Sequence, residues 1–432
     1  MKKIAFYYNN ECPKDKDFSG LLSGNPGVGG TEYEILLVSY LLETCDNDLD
    51  VCLLTRDEMS LPHPHYHLVG DVGGLFTYCK DNGIDVLVIN QSVYNEQTVS
   101  QFATCSSRLG IILWDHNGMN NKKLDMTWKS KQVKRVVCCG REMLDMIRDN
   151  AVMEKSTYVY NIFPLKEKSY YQKRMDLEDN HNVVYMGALN KVKGFHGLAR
   201  AWKSILRKVP DAQLYVIGSG RLYNNNTKLG RYGLAVEEFE NEIIPYLEDD
   251  NGKLLPSVHF CGLMGTEKFD IMGRCKVGVP NPTGYSECLP ITTIEMQLMG
   301  CNIVTIRHFA YLDTIFNHNY LYRKCDQLAD YIAKRLIAPY DDYDRLYNFI
   351  SEKFSTEKSI ARWENILSNI DYPMPLEPLS PINYQMKWLK NILLHIKLLC
   401  PVLNKLPMIR SVIDKLSATK LLDNVKIFKF RK

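Results

Sequence analysis

The stretch on which the reading turns is "CKVGVPNPTGYSECLPITTIEMQLMGC", Cys275 to Cys301. Its first six residues form a short apolar run, which reads as a buried strand. "NPTGYSECL" is a loop by its Pro, Gly and Ser content. Pro290 suits the first turn of a helix. Ile291, Ile294 and Leu298 then share one helical face, and Gly300 fits the stop. Glu287 therefore falls in the loop, and Glu295 about a turn and a half inside the helix. Between them the unpaired amides of the first helical turn carry partial positive charge, a ready phosphate site. Carboxylates flanking such a site suit sugar hydroxyls, each of which donates to a fixed acceptor. Acids near a helix start also simply complement its dipole, and spacing alone leaves the two readings level.

The strand–loop–helix unit recurs on both sides of this stretch. "KIAFYY", "DVCLLT", "IDVLVIN", "LGIILW" and "VKRVVCC" alternate with helix-like segments such as "TEYEILLVSYLLE" and "REMLDMIRDN". The pattern pauses at the polar stretch 161–182 and resumes with "VVYMGAL", "AQLYVIG", "SVHFCG", "CKVGVP" and "NIVTI". Short apolar runs separated by amphipathic helices predict parallel sheets covered on both faces. The class is α/β, with two Rossmann-like doubly wound domains and a C-terminal helical extension. The expected boundaries are 1–165, 166–372 and 373–432, with the final helices of the second domain free to cross back to the first.

Ligands of open parallel sheets sit beyond the carboxyl ends of the strands, so the loops there carry the chemistry. "SGNPGVGGTEYEILL" follows the first strand, and its Gly27, Gly29 and Gly30 allow close approach of backbone to a ligand. It is not G-x-G-x-x-G, and no acidic residue stands at dinucleotide spacing, so an NAD reading is weak. "VVYMGALNKVKGFHGLARAW" puts Lys193 at a turn, where an ammonium can neutralise a diphosphate leaving group. "LGIILWDHNG" ends a strand with Asp115, His116 and Asn117, which suits a site and equally an exposed turn. Asp15–Asp17 and Asp46–Asp48 resemble metal-binding acid pairs but read as solvated loops, and no catalytic triad or metal cluster stands out.

Composition narrows the classes. With 45% apolar and 24% charged residues, the 432-residue chain reads as globular, and no apolar window approaches the roughly 20 residues of a spanning helix. The apolar run after Met1 is too short for a signal-peptide core. The thirteen cysteines include no C-x-x-C pair, which argues against a zinc site or disulfide framework and for a reducing, cytoplasmic compartment. Net charge is +3, but from Pro381 to Lys432 eleven Lys or Arg face only Asp414 and Asp423, a balance of +9. The residues before them therefore carry 3 − 9 = −6. In this tail, lysines alternate with Trp388, Leu389, Ile392, Leu393, Ile396 and Leu398, the pattern of a basic amphipathic helix on an anionic membrane surface. Packing of these helices onto the body of the protein or a partner subunit, with the lysines as a solvated face, is the competing reading. Without a reader module, nucleic acid is not an expected partner.

Together these loops resemble the retaining glycosyltransferases of family 4, which have the GT-B fold, two such domains facing across a cleft. The likeness runs in order over about residues 1–370. Glu287 to Glu295 matches the family's E-x7-E signature, and "GALNKVKG" stands at its G-R-L-x-x-x-K-G. "VIGSG", with Gly218 and Gly220, resembles its G-x-G, "GVGGTE" its glycine-rich loop, "WDHNG" its histidine-bearing strand end and "FSTEKSIARWENIL" its closing helix. The resemblance implies transfer of a sugar from a nucleotide-sugar donor to a hydroxyl acceptor with retention and without a metal or other cofactor. It implies that Glu295 binds the ribose hydroxyls and Glu287 the hydroxyls of the transferred sugar. Backbone around Cys288, Leu289, Pro290 and Ile291 would hold sugar and phosphate, with Gly29 and Gly30 approaching the diphosphate. Lys193 would stabilise the departing nucleoside diphosphate, and His116 would lie close to the sugar. One departure stands out: Ala188 occupies the position of the family's arginine, with Lys191 and Arg221 the nearest substitutes. The expectation is a UDP- or GDP-sugar glycosyltransferase acting on a saccharide or lipid-linked saccharide of a surface polysaccharide, such as an O-antigen or capsule, on the inner face of the membrane. A nucleotide-sugar scaffold without turnover, or a GT-B epimerase or hydrolase, remains the alternative.

Overall fold

The computed structural model of the chain describes residues 1–9, 17–26, 28–105, 108–176, 180–222 and 226–418. Gly27, Asp15 and the last fourteen residues of the tail lie outside the described residues. Two compact units emerge. One comprises Met1–Ser19, Ile35–Tyr160 and Ser359–Lys432, and the other Gly20–Glu34 and Asn161–Lys358.

The first unit is built on a seven-stranded, wholly parallel sheet. Its strands are β1 (Lys2–Tyr8), β2 (Leu49–Thr55), β3 (Tyr66–Leu68), β4 (Val86–Asn90), β5 (Gly110–Asp115), β6 (Val133–Cys138) and β7 (Ser156–Tyr158). Their order is β3-β2-β1-β4-β5-β6-β7. The central β4 and β5 are buried along their whole length, which is why their sequences run apolar instead of alternating. Trp363, from the helix Thr356–Ser368, packs its ring 4.8 Å from Trp114 and 5.8 Å from Phe6. Those contacts explain why the chain after residue 358 belongs to this unit.

The second unit repeats the design with β8 (Asn182–Met186), β9 (Gln213–Ile217), β10 (Val258–Gly262), β11 (Val277–Val279) and β12 (Asn302–Ile303), in the order β10-β9-β8-β11-β12. Its core gathers Val183, Tyr185, Phe195, Trp202, Val277 and Ile332. Strand order reverses between β8 and β11, so the loops after those two strands flank the topological switch point. Three sequence expectations change. "NIVTI" is not one strand: Asn302–Ile303 joins the sheet, while Thr305–Ile306 pairs with Leu321–Tyr322 in a separate ribbon. "REMLDMIRDN" is helical only over Arg141–Met146. The edge strands β3 and β7, three residues each, were not foreseen.

The C-terminal extension folds onto the first unit through the helix Lys387–Leu399, the turn Pro401–Lys405 and the helix Ile409–Ala418. Here an expectation is reversed: Lys387, Lys390 and Lys397 do not form a free cationic face but are buried. Lys387 Nζ pairs with Glu142 and with Asp145, the latter at 3.4 Å. Lys390 donates to the Met146 carbonyl at 3.4 Å, and Lys397 to that of Asp149 at 2.7 Å. The carbonyls freed at the end of the helix Arg141–Met146 carry partial negative charge, so they attract ammonium groups. Burial in this seam holds the Lys390 pKa down to about 8.

Candidate active site

The helix predicted from the opening stretch spans Ile291–Leu298, with Pro290 as its N-cap residue and Gly300 at φ +83° just past its end. No side chain caps its start, and of its leading amides that of Thr293 bonds the Pro290 carbonyl at 3.2 Å. Glu287 lies in the preceding loop and Glu295 inside the helix. Each carboxylate is held by a lysine. Lys193 Nζ, from the loop after β8, lies 2.7 Å from Glu287 Oε1, and Lys268 Nζ, from the segment after β10, lies 2.6 Å from Glu295 Oε1. All four side chains retain only partial solvent access.

Between the two switch-point loops sits Asn281, the second residue after β11 and 4% exposed. Its Nδ2 donates to the carbonyls of Val192 at 3.0 Å and Tyr285 at 2.9 Å, and to Glu287 Oε1 at 3.1 Å. Its Oδ1 accepts from the Thr283 backbone N–H and hydroxyl, and its carbonyl accepts from Thr305 Oγ1 and the Tyr311 hydroxyl. One amide thus ties both loops together and aims Glu287. The Tyr311 phenol, fully enclosed, is pushed far above its usual pKa by burial and then by the Glu287 charge, so it remains a donor. Next to Glu287, Ser286 holds φ at +60°, a left-handed conformation that costs a non-glycine residue about 1–2 kcal/mol. Gly194 is required by both criteria: its φ is +71°, and a Cβ would stand 2.6 Å from Asn281 Oδ1.

The remaining predicted residues fall as follows. Cys288 is half-buried, while Leu289 and Pro290 are buried, at the mouth of the helix. Gly218 and Gly220 are needed within the protein: a Cβ at the first would meet the Gly187 carbonyl at 1.9 Å and at the second the Ala235 Cα at 2.8 Å. Their amides donate to Gly262 and Leu234 carbonyls, so they shape the loop and are not spare phosphate donors. Gly30 opens the helix Gly30–Thr44, with no atom within 4 Å of where a Cβ would stand, whereas Gly29 is crowded by the Glu32 side chain. Burial, then the Glu34 and Glu295 charges, raises the Tyr33 phenol, so the start of this helix lies within electrostatic reach of Glu295. His116 belongs to the first unit, buried beside Trp114 at the end of β5. Asp115 braces that turn by accepting from the Asn117 and Gly118 amides, and burial raises its carboxyl to about 6.

Ala188 is buried, and neither suggested substitute for the missing arginine is directed at Glu287. Lys191 pairs with Glu238 at 3.1 Å and Glu242 at 3.5 Å. Arg221 donates through Nε to the Thr227 carbonyl. The second lysine beside the E-x7-E pair is Lys268. Sequence reasoning missed it and Asn281: the former opens the short helix Lys268–Met272, the latter sits in the loop quoted at the outset. Among the described residues no three His, Cys, Asp or Glu side chains are grouped to hold a metal ion, and no helix is long and apolar enough to cross a membrane.

Residues 180–338 match the family model of the glycosyl transferases group 1, so the chain carries a glycosyltransferase domain around this site. An uncharacterized glycosyltransferase of Haemophilus influenzae is 22% identical over 334 residues, covering 74% of this chain and 86% of that protein. Among solved structures, sucrose-phosphate synthase from Thermosynechococcus elongatus superposes with a TM-score of 0.57 at 13% identity over 86% of this chain and 99% of the other. AviGT4, a glycosyltransferase involved in avilamycin A biosynthesis, gives 0.54 at 12% over 86% and 98%. TarM of S. aureus, solved with UDP, gives 0.50 at 14% over 68% of this chain but only 58% of TarM. These structures share the GT-B arrangement of two parallel α/β domains.

Proposed function

We propose that the protein is a retaining, metal-independent glycosyltransferase of family 4 that moves a sugar from a UDP-sugar, or a GDP-sugar, to a hydroxyl of a lipid-linked saccharide in surface-polysaccharide assembly. The observation that carries the reading is the pair of lysine-held carboxylates, Glu287 and Glu295, around an uncapped helix start at the switch point. Each acid is paired with a lysine. An incoming donor offers each a better-matched partner: diphosphate oxygens for Lys193, sugar hydroxyls for Glu287, ribose hydroxyls for Glu295. As the bond to the anomeric carbon breaks, negative charge grows on the diphosphate, where the Lys193 ammonium and the helix amides stabilise it. A lysine at this position supplies the cationic role that a metal ion otherwise fills. The UDP bound in the TarM structure supports the choice of base. A cytoplasmic setting is supported by eleven cysteines among the described residues that are free thiols.

Ala188 favours a second reading, a nucleotide-sugar-binding scaffold, because the cation expected there is absent and Lys191 and Arg221 are engaged elsewhere. Incubation with UDP-, GDP- and ADP-sugars, with and without EDTA, separates the two by release of nucleoside diphosphate. Transfer insensitive to EDTA, with an anomeric proton of unchanged configuration by NMR, is the expected result. Nucleotide binding without turnover of any donor would support the scaffold, and an inverted product would refute retention.

A further inference from the structure

The extension is an amphipathic helix mounted with its charged side inward. At 100° per residue, Trp388, Ile392, Ile396 and Leu399 fall within about 80° of arc on the helix Lys387–Leu399, opposite the three buried lysines. Their relative exposures are 59, 49, 43 and 88%, and Val402 and Leu406 in the following turn continue the patch at 71 and 53%. The helix is held by its lysines through Glu142, the Met146 carbonyl and the Asp149 carbonyl, so the apolar side is what it presents outward. We propose that this face docks on the headgroup and upper acyl region of an anionic lipid bilayer.

Three observations choose a bilayer over other occupants. The first is charge. Residues 378–413 contain no Asp or Glu, so nothing in the patch repels lipid phosphates, and the exposed Lys405 adds a cation. Residues 419–432, outside the described residues, hold five Lys or Arg against Asp423, a balance of 5 − 1 = +4, which extends the attraction to anionic lipid. The second is self-repulsion. A second copy docking by the same face would bring Lys405 towards its own symmetry mate with no Asp or Glu in residues 378–413 to pair with it, since a two-fold interface repeats the same patch. The chain's own basic residues 419–432 meet the same objection. The third is the edge of the patch: Trp388 has the amphipathic ring that favours the membrane–water boundary.

The patch also belongs to the unit that carries His116. Arg410 donates to the Met119 carbonyl at 3.1 Å, and Ser411 bonds Asn121 at 3.2 Å. Both partners stand just after the turn that carries His116, in the same unit. A bilayer on this face would bring lipid-linked substrate to the unit holding that turn. The inference extends the lipid-linked acceptor reading above, but its test uses no turnover.

The experiment is flotation of the full-length protein with phosphatidylcholine vesicles, with or without 30% phosphatidylglycerol. It compares the wild-type chain, the triple variant Ile392→Ser/Ile396→Ser/Leu399→Ser and Lys405→Gln, alongside sedimentation velocity without lipid. Expected is salt-sensitive flotation of the wild type with anionic vesicles, at least tenfold weaker for the triple variant and about two- to fivefold weaker for Lys405→Gln. Equal flotation of wild type and triple variant, or no flotation of the wild type, overturns the proposal. Wild-type self-association that the triple variant abolishes also overturns it and assigns the patch to a second copy. Quenching of wild-type tryptophan fluorescence by brominated lipid, reduced in Trp388→Phe, gives a readout that survives a poorly folding triple variant, because Trp114, Trp202 and Trp363 are buried and the half-buried Trp128 is common to both proteins. Absence of that quenching is a refutation. Flotation without any sugar transfer would remove the acceptor reading and leave this one standing.

Discussion

Replacing Asn281 by aspartate changes one buried amide into a carboxylate of the same shape and tests whether that residue organises the site. The Nδ2 position lies 3.1 Å from Glu287 Oε1. Two carboxylates at that separation repel by about 5 kcal/mol at an effective dielectric of about 20. Protonation caps this cost: one acid of the pair takes up a proton, and at pH 7 holding it on a group of ordinary pKa near 4 costs about 4 kcal/mol. The donations to the Val192 and Tyr285 carbonyls are lost as well, at about 1 kcal/mol each. The expected destabilisation is therefore about 4–6 kcal/mol at pH 7. The sign follows from linkage. The variant pair has a folded-state pKa raised above its unfolded value, so the deficit is full at high pH and shrinks as pH falls toward 4. Between pH 7 and 5 it should narrow by about 3 kcal/mol. Urea unfolding of wild type and variant at both pH values measures it. A deficit below 1 kcal/mol, or one that does not change with pH, would show that Asn281 does not hold Glu287 against the adjoining loop.

Three further outcomes bear on the site. Glu295→Gln should weaken UDP or GDP affinity at least tenfold by calorimetry, and Lys268→Met should alter the same constant; unchanged affinity in both variants would remove the ribose assignment. Glu287→Gln should lower turnover of donor far more than nucleotide affinity, and a parallel fall in both would place its partner on the nucleotide instead. Burial holds the His308 pKa down to about 4, so its contribution is intact above pH 6.5 and is lost as pH falls toward 4, on the order of 3 kcal/mol over that span. His308→Asn keeps an acceptor for the Ala310 amide but removes the titration, so its stability should fall less than that of wild type between pH 7 and 4. Parallel pH dependence would refute this assignment.

The fold was legible where burial is complete on both faces. β1, β4, β5, β8 and β11 announce themselves as unbroken apolar runs because parallel strands under two helical layers have no solvent side. β3 and β7 did not, since three residues at a sheet edge are too few for any period. Of the site, Glu287, Glu295 and Lys193 were legible because they fall in loops or helix starts following strands, where the topology collects ligands. Asn281 was not, although it lies in the quoted loop: asparagine after a strand usually means a turn, and only its three donations reveal the strut. Lys268 had no local signal at all, because its meaning comes from a carboxylate twenty-seven residues away. The glycines of "VIGSG" carried the reverse lesson. Their spacing resembles the family's G-x-G, and within the protein the Gly187 carbonyl and Ala235 already account for the missing side chains.

The extension shows why a helical wheel does not decide orientation. Composition and spacing correctly separate a lysine side from an apolar side, and the usual rule turns the apolar side inward. That rule assumes an apolar receiving surface. Here the receiving surface offers Glu142, Asp145 and the carbonyls of Met146 and Asp149. Three ammonium groups find charge-assisted partners there, and each such hydrogen bond contributes about 1.5–3 kcal/mol. Turning the helix over would leave Glu142 buried at 1% exposure without its cation, a penalty of about 3–5 kcal/mol for the broken pair. Local burial of acid therefore outweighs the preference of the apolar side for the interior. The net charge of +9 is in part not a surface property: three of its eleven cations are spent inside the seam.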